Sequence, residues 1–368
     1  MQSENQRPKL LLLGTFDQYI HSAIFDPTTK TLRAGHTNKA SMKPTWITQH
    51  PVHPHIVYSN GHTEGKVFCN SIIDESTGEL QVISEITTGG EAPTHMSVLP
   101  DGSALIIAHY RSGTTGYLPL SPSGSFSETA EVKHYLPPMI PYILDHSRQG
   151  VPHAHQVLNG PGSDGQVYVP DLGYNQVLRL KYDPNGWRAS APFEGFLPGD
   201  GPRHSALHPN GNLGKYLYTL CEMSSTIVIH MIAKPATPIG RLSVVPSVIG
   251  PGAKPIAAAI NILPSNTPRG PHLLLATNRD LGLDEGDAIA LYCVEDDGAI
   301  SFLRHEKGVG KHLRGMAIDS DNRWICVAGR HGGGIAVYER IGEEGLDIKE
   351  VARLADVQQV IAPMWVRN

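Results

Sequence analysis

Short apolar stretches alternate with Gly- and Pro-rich turns along the whole chain, and no long segment carries apolar residues at helical spacing. One unit recurs. It has a tight Gly/Pro turn, an apolar strand with a His or Arg near its start, then Pro-x-Gly or Asp-Gly, and a second apolar strand. It reads Ala92-Pro93-Thr94-His95 to Pro100-Asp101-Gly102, Val151-Pro152-His153-Ala154-His155 to Pro161, and Gly201-Pro202-Arg203-His204 to Pro209-Asn210-Gly211. Weaker copies begin at Lys43-Pro44-Thr45-Trp46, Lys254-Pro255-Ile256 and Lys311-His312-Leu313-Arg314. The period of roughly 50 residues lies in the range of propeller blades.

The second strands stand out as Ile56–Asn60, Leu105–Tyr110, Val167–Leu172, Tyr216–Glu222, Leu273–Arg279 and Trp324–Arg330. Leu10–Thr15 matches this second-strand pattern with no inner strand before it, and Val360–Trp365 resembles an inner strand with nothing after it. The two halves complement each other. The pattern predicts an all-β fold, a single seven-bladed β-propeller over residues 1–368, with the last blade closed by strands from both termini. Closure removes the sheet edge that an open array would expose.

Composition narrows the function classes. Length alone would suggest two or three domains, but the repeat favours one, and 38 Gly with 29 Pro suits many short strands. A net charge of −5 without a basic stripe argues against a nucleic-acid partner. Cys69, Cys221, Cys293 and Cys326 have no CxxC spacing and sit in apolar strands, so they read as free buried thiols. The N-terminal apolar run Leu10–Leu13 is too short for a signal peptide or membrane span, so a soluble, cytoplasmic monomer is expected. No Gly-x-Ser-x-Gly elbow is present, and Gly332–Gly334 belongs to a hairpin turn, not a phosphate loop.

Registering the repeats locates the candidate chemistry. One slot near the start of each inner strand holds Thr45, Thr94, His155, Arg203, Ala258 and Arg314. A slot at the end of the second strands holds Tyr110, Leu172, Glu222, Arg279 and Arg330. Side chains alternate along a strand, so equivalent slots point the same way and converge at one channel mouth. Arg203 and Arg279 there suit a carboxylate or polarised carbonyl, with His155 and Glu222 moving protons. A purely structural ion-pair network is the competing reading. His153, two residues before His155, should face the same side. That spacing permits a metal, but a metal needs further ligands and no second His pair or Asp/Glu cluster occupies an equivalent slot, so neither metal nor cofactor is expected. His95 and His204 fall one residue past the slot and should point away from the channel, and Asp171 reads as a turn-holding residue.

The same segments carry a family resemblance. Pro152-His153-Ala154-His155, Tyr168–Gly173, Gly201–Gly211 and Thr277-Asn278-Arg279 resemble signature segments of the lactonase/cycloisomerase-2 family. Its members include bacterial-type 6-phosphogluconolactonase and fungal carboxy-cis,cis-muconate cyclase, all seven-bladed propellers. The resemblance implies that His155, Arg203, Glu222 and Arg279 are catalytic, with His153, Arg314, Arg330 and Tyr110 around the substrate. It implies a small conjugated or lactone carbonyl compound as partner. Opening a lactone, forming one, or a pericyclic hetero-Diels–Alder closure of the kind found in fungal specialised metabolism all remain open, as does a non-catalytic binding scaffold. Proline-rich insertions at 135–149, 234–255 and 264–271 are expected to enlarge loops and reshape the pocket. Glu222→Gln is expected to separate proton transfer from pure polarisation.

Overall fold

The computed structural model describes residues 7–127, 130–139, 148–162, 164–209, 215–268 and 270–367. The chain forms seven four-stranded antiparallel sheets arranged as a propeller, all β and without a helix among the described residues. Blades 1 to 6 follow chain order, with inner strands Ile47–Gln49, Pro93–Val98, Leu158–Asn159, Pro202–Leu207, Ile256–Leu263 and Lys311–Ile318. The seventh joins Val360–Trp365 from the C-terminus to Lys9–Thr15, Tyr19–Asp26 and Thr31–Lys39 from the N-terminus. Leu11 pairs with Trp365 and Leu13 with Pro363, so the expected closure is present.

The second strands explain why the sequence reads as continuous apolar runs. Each is buried on both faces, because blades stack face to face. Leu273 and Leu275 enter a cluster with Ile325 and Tyr338 of blade 6, while the intervening Leu274 and Ala276 meet Tyr218 and Leu220 of blade 4. Outer strands such as Glu79–Thr87 face solvent and are mostly polar. All four cysteines are free and buried. None of the described residues forms a helix long and apolar enough to cross a membrane.

Several inner strands carry β-bulges near the same end. The pairing slips between Pro93 and His95, between Pro202 and His204, between Ala257 and Ile260, and on both sides of Leu313. A bulge sets two residues opposite one partner and breaks the strict alternation of side chains. Successive residues there can therefore both face the channel.

The three insertions behave differently. Of residues 234–255, Lys234–Ser243 is the outer strand of blade 4, and 244–255 form a connecting segment outside any strand. Residues 264–271 link an inner strand to its neighbour at the far end of blade 5, away from Arg279, and Arg269 lies outside the described residues. Of the segment 135–149, residues 140–147 lie outside the described residues, but its end brings Arg148 to the channel mouth. Asn210 and Gly211 of the expected turn also lie outside them.

Candidate functional site

A cavity of about 360 Å³ opens at the mouth formed by the starts of the inner strands and the ends of the second strands. The slot residues Thr45, Thr94, Tyr110, His155, Arg203, Glu222, Arg279, Arg314 and Arg330 all line it. Its volume is within the range of small-molecule sites.

Glu222 is the centre of the charged side. It immediately follows the strand Tyr216–Cys221. Its N–H donates to the Gly201 carbonyl (2.7 Å) and its carbonyl accepts from Ala257 N–H (3.0 Å), which fixes it between blades 4 and 5. Its Oε2 accepts from Arg203 Nε (2.8 Å) and forms an ion pair with Arg279 Nη2 (2.9 Å), and its Oε1 accepts from Arg148 Nη1 (2.6 Å). Arg203 also donates to the Ala258 carbonyl, and Arg279 to that of Ala257 at 3.1 Å. Burial opposes the Glu222 charge, but Arg279, Arg203 and Arg148 outweigh it and hold the carboxyl far below its usual range. A carboxylate so held is a poor proton carrier. Its contacts with three guanidinium groups suit an anchor better than the acid–base role expected from the sequence. Burial and the neighbouring arginines push Arg203 down to about 10, which still leaves it charged at neutral pH.

His155 is 4% exposed, and its Nδ1 has no hydrogen-bond partner among the described residues. Burial, then Arg203 and Arg314, push its pKa well below 6.5, so it is a neutral imidazole. Burial and the two arginines oppose its protonation, so the ring takes up a proton only as negative charge develops beside it. His153 does not share its position. Residues 151–157 make only one bridge, Ala154 to Asp171, so strand alternation does not apply there. His153 stacks on the Tyr110 ring (4.5 Å, 10°), donates from Nδ1 to the Tyr110 carbonyl (2.8 Å), and lies outside the cavity lining. Its expected substrate contact is replaced by support of Tyr110, whose hydroxyl accepts from Arg148 Nη2 (2.9 Å). Asp171 holds its turn as expected, accepting N–H groups of His153, Gly173 and Tyr174.

His95 and His204 reverse the expectation that they point outward. They belong to blades 2 and 4, yet their rings meet across the channel at 5.6 Å, with Trp46 of blade 1 stacked on His95 at 3.8 Å. The bulges after Pro93 and Pro202 turn them inward. Trp46 and His204 line both this cavity and a second one of about 490 Å³ toward the opposite mouth, and so form the floor between them.

The sequence reading missed Phe16, His62, Arg148 and His312, which also line the cavity. Phe16 and His62 directly follow Lys9–Thr15 and Ile56–Gly61, the slot that Tyr110 and Glu222 occupy in their blades. Extending the register to all seven blades finds them. Arg148 lies outside the repeat and His312 on a bulge, so neither had a register signal. His312 has a φ of 57°, a costly conformation for a non-glycine residue, and Asp287 accepts its N–H (2.6 Å). Its Nδ1 donates to Asp280 (2.9 Å), leaving Nε2 to accept from Arg279 (3.4 Å).

Comparison with known proteins agrees with this architecture. Residues 10–367 match a family model described as lactonase, 7-bladed beta-propeller. The chain is 28% identical to a 6-phosphogluconolactonase of Klebsiella pneumoniae, over 80% of this chain and 79% of that one. It is 26% identical to the Bacillus subtilis 6-phosphogluconolactonase, over 74% and 73%. The solved structure of a periplasmic gluconolactonase of Pseudomonas aeruginosa superposes with a TM-score of 0.79 at 22% identity, covering 98% of this chain and 99% of that one.

Proposed function

Because this chain belongs to the lactonase family of seven-bladed β-propellers, we propose that it opens the ring of a small lactone at the channel mouth. The observation that carries the reading is a buried His155, its Nδ1 without a hydrogen-bond partner among the described residues, in the same cavity as guanidinium groups fixed by Glu222. Arg203 has its Nε and Nη1 engaged, and its Nη2 makes no hydrogen bond among the described residues. In this reading Nη2 and Arg279 face the lactone carbonyl oxygen and stabilise the negative charge that grows on it. His155 takes a proton from water as the water oxygen bonds to the carbonyl carbon. Collapse of the tetrahedral intermediate breaks the ring C–O bond, and the imidazolium returns its proton to the leaving alkoxide. The product is a hydroxy acid. Catalysis without metal or cofactor, a monomeric state and a cytoplasmic location are part of the proposal. Four unbridged cysteines fit a reducing compartment. The Pseudomonas relative is described as periplasmic, so cell fractionation is the check on location.

The test is acid release in a pH-stat from a panel of lactones, including the 6-phosphogluconolactone named by the relatives, with and without chelator. His155→Gln should lower kcat/KM by about 10²–10⁴, the usual contribution of a positioned base. A panel in which no lactone opens faster than in buffer overturns the proposal.

A second reading has its own support. Glu222 is unsuited to proton transfer, and Phe16, Trp46, Ile256 and Ile361 make another part of the lining largely apolar. Both features fit ring closure of an unsaturated substrate by polarisation and shape alone, for which His155→Gln should leave the rate little changed.

A further inference from the structure

The cavity contains two kinds of arginine. Arg148, Arg203 and Arg279 form ion pairs with the Glu222 carboxylate. Arg314 and Arg330 form no ion pair with a carboxylate among the described residues. Their guanidinium carbons lie 5.2 and 4.0 Å from the centroid of the Phe16 ring. The difference matters chemically. A carboxylate occupies the donors at the edge of a guanidinium, whereas an aromatic face attracts the cation electrostatically and leaves those donors free. Arg314 makes no hydrogen bond among the described residues, and Arg330 makes one, from Nε to Gln359 Oε1 (3.2 Å).

Phe16 is itself held in place. Its N–H donates to the Gln359 carbonyl (3.0 Å), so Gln359 ties Phe16 and Arg330 together. The turn around it is closed by Thr15 Oγ1 donating to the Tyr19 carbonyl (2.6 Å) and Tyr19 N–H donating to Asp17 (2.7 Å). Five arginines and one glutamate line the cavity, and that glutamate contacts only three of them. Among the described residues the remaining positive charge has no counterpart in the lining.

We infer that Phe16 is a positioning residue that holds Arg314 and Arg330 as an anion subsite separate from the Glu222 cluster, and that the substrate places a phosphate monoester or a carboxylate there. The inference rests on the reading of this cavity as the active site, but its test reads binding and not turnover. Isothermal titration of the full chain at low salt uses inorganic phosphate and benzoate as probes, with folding checked by circular dichroism. Arg314→Gln and Arg330→Gln should each weaken binding about tenfold or more, as expected for charge-assisted bonds. Phe16→Leu should weaken it about 2- to 30-fold, the span of a cation–π contact, and Phe16→Trp should restore it. Preference for one probe identifies the anion, and weakening of either supports the subsite. Unchanged affinity for both probes in the arginine variants overturns the inference. So does wild-type affinity in Phe16→Leu or, if that variant unfolds, in Phe16→Met. Probe binding that depends on these residues without any lactone opening would sink the hydrolytic reading alone. Lactone opening with probe binding indifferent to them would sink the subsite alone.

Discussion

At the scale of single residues, Glu222 shows how neighbours decide a role. A buried carboxylate alone would take up a proton, yet three guanidinium groups keep this one ionised. Glu222→Gln removes the only carboxylate that Arg203 contacts among the described residues, leaving a 2% exposed cation without its partner. Breaking a buried pair from one side costs about 3–5 kcal/mol, and denaturant titration should show a loss of that order. Because the pKa is depressed in the fold, the contribution is complete above the ordinary value of 4.5 and disappears only as pH falls through the lower folded value. The stability difference between variant and wild type should therefore stay constant between about pH 8 and about pH 5. Below pH 4.5 the difference should shrink, and a difference that stays constant there would mean that the Glu222 carboxyl is not held below its ordinary value. The same variant does not separate proton transfer from polarisation, contrary to the expectation from sequence, since both mechanisms need the arginines in place. His155→Gln takes over that task.

At the scale of strands, the seam between blade 6 and the closing blade depends on close backbone approach. A Cβ on Gly315 would lie 2.2 Å from the Ile361 carbonyl oxygen and 2.7 Å from Pro363 Cδ. Gly315 follows Arg314 on the inner strand Lys311–Ile318, so the contact that closes the ring also sets the position of a cavity arginine. Gly315→Val should destabilise the protein by at least the roughly 1–3 kcal/mol of an overpacked core and lower activity with it. A variant with wild-type thermal stability would show that the seam has room. The slots themselves were legible in the repeat, since strand periodicity fixes which positions converge. His95 and His204 were misplaced because bulges interrupt that periodicity, and a bulge depends on pairing with a partner strand rather than on local sequence.

For the whole molecule, the buried histidines set the response to acid. Burial is the leading cause that lowers His95 and His109 to about 3 and His155 and His204 well below 6.5. A depressed folded pKa means that the unfolded chain binds the extra protons, so stability is complete above 6.5 and falls as pH drops toward the folded values. Each such histidine removes about 1.4 kcal/mol per pH unit in that window. Thermal unfolding from about pH 7 to about pH 5 should show a steadily falling Tm, and His109→Asn, away from the cavity, should reduce the slope by about one proton. A flat Tm would show that these rings are protonated in the fold. By itself the sequence determined the seven-bladed ring, its closure by both termini and the convergence of His155, Arg203, Glu222, Arg279, Arg314 and Arg330, because a regular repeat carries its own register. Only the tertiary structure decided that Arg148 reaches Glu222, that His153 supports Tyr110 from behind, and that Phe16 rather than a carboxylate faces Arg314 and Arg330. Those pairings join residues far apart in the chain, and their partners are fixed by the closed ring and not by any local pattern.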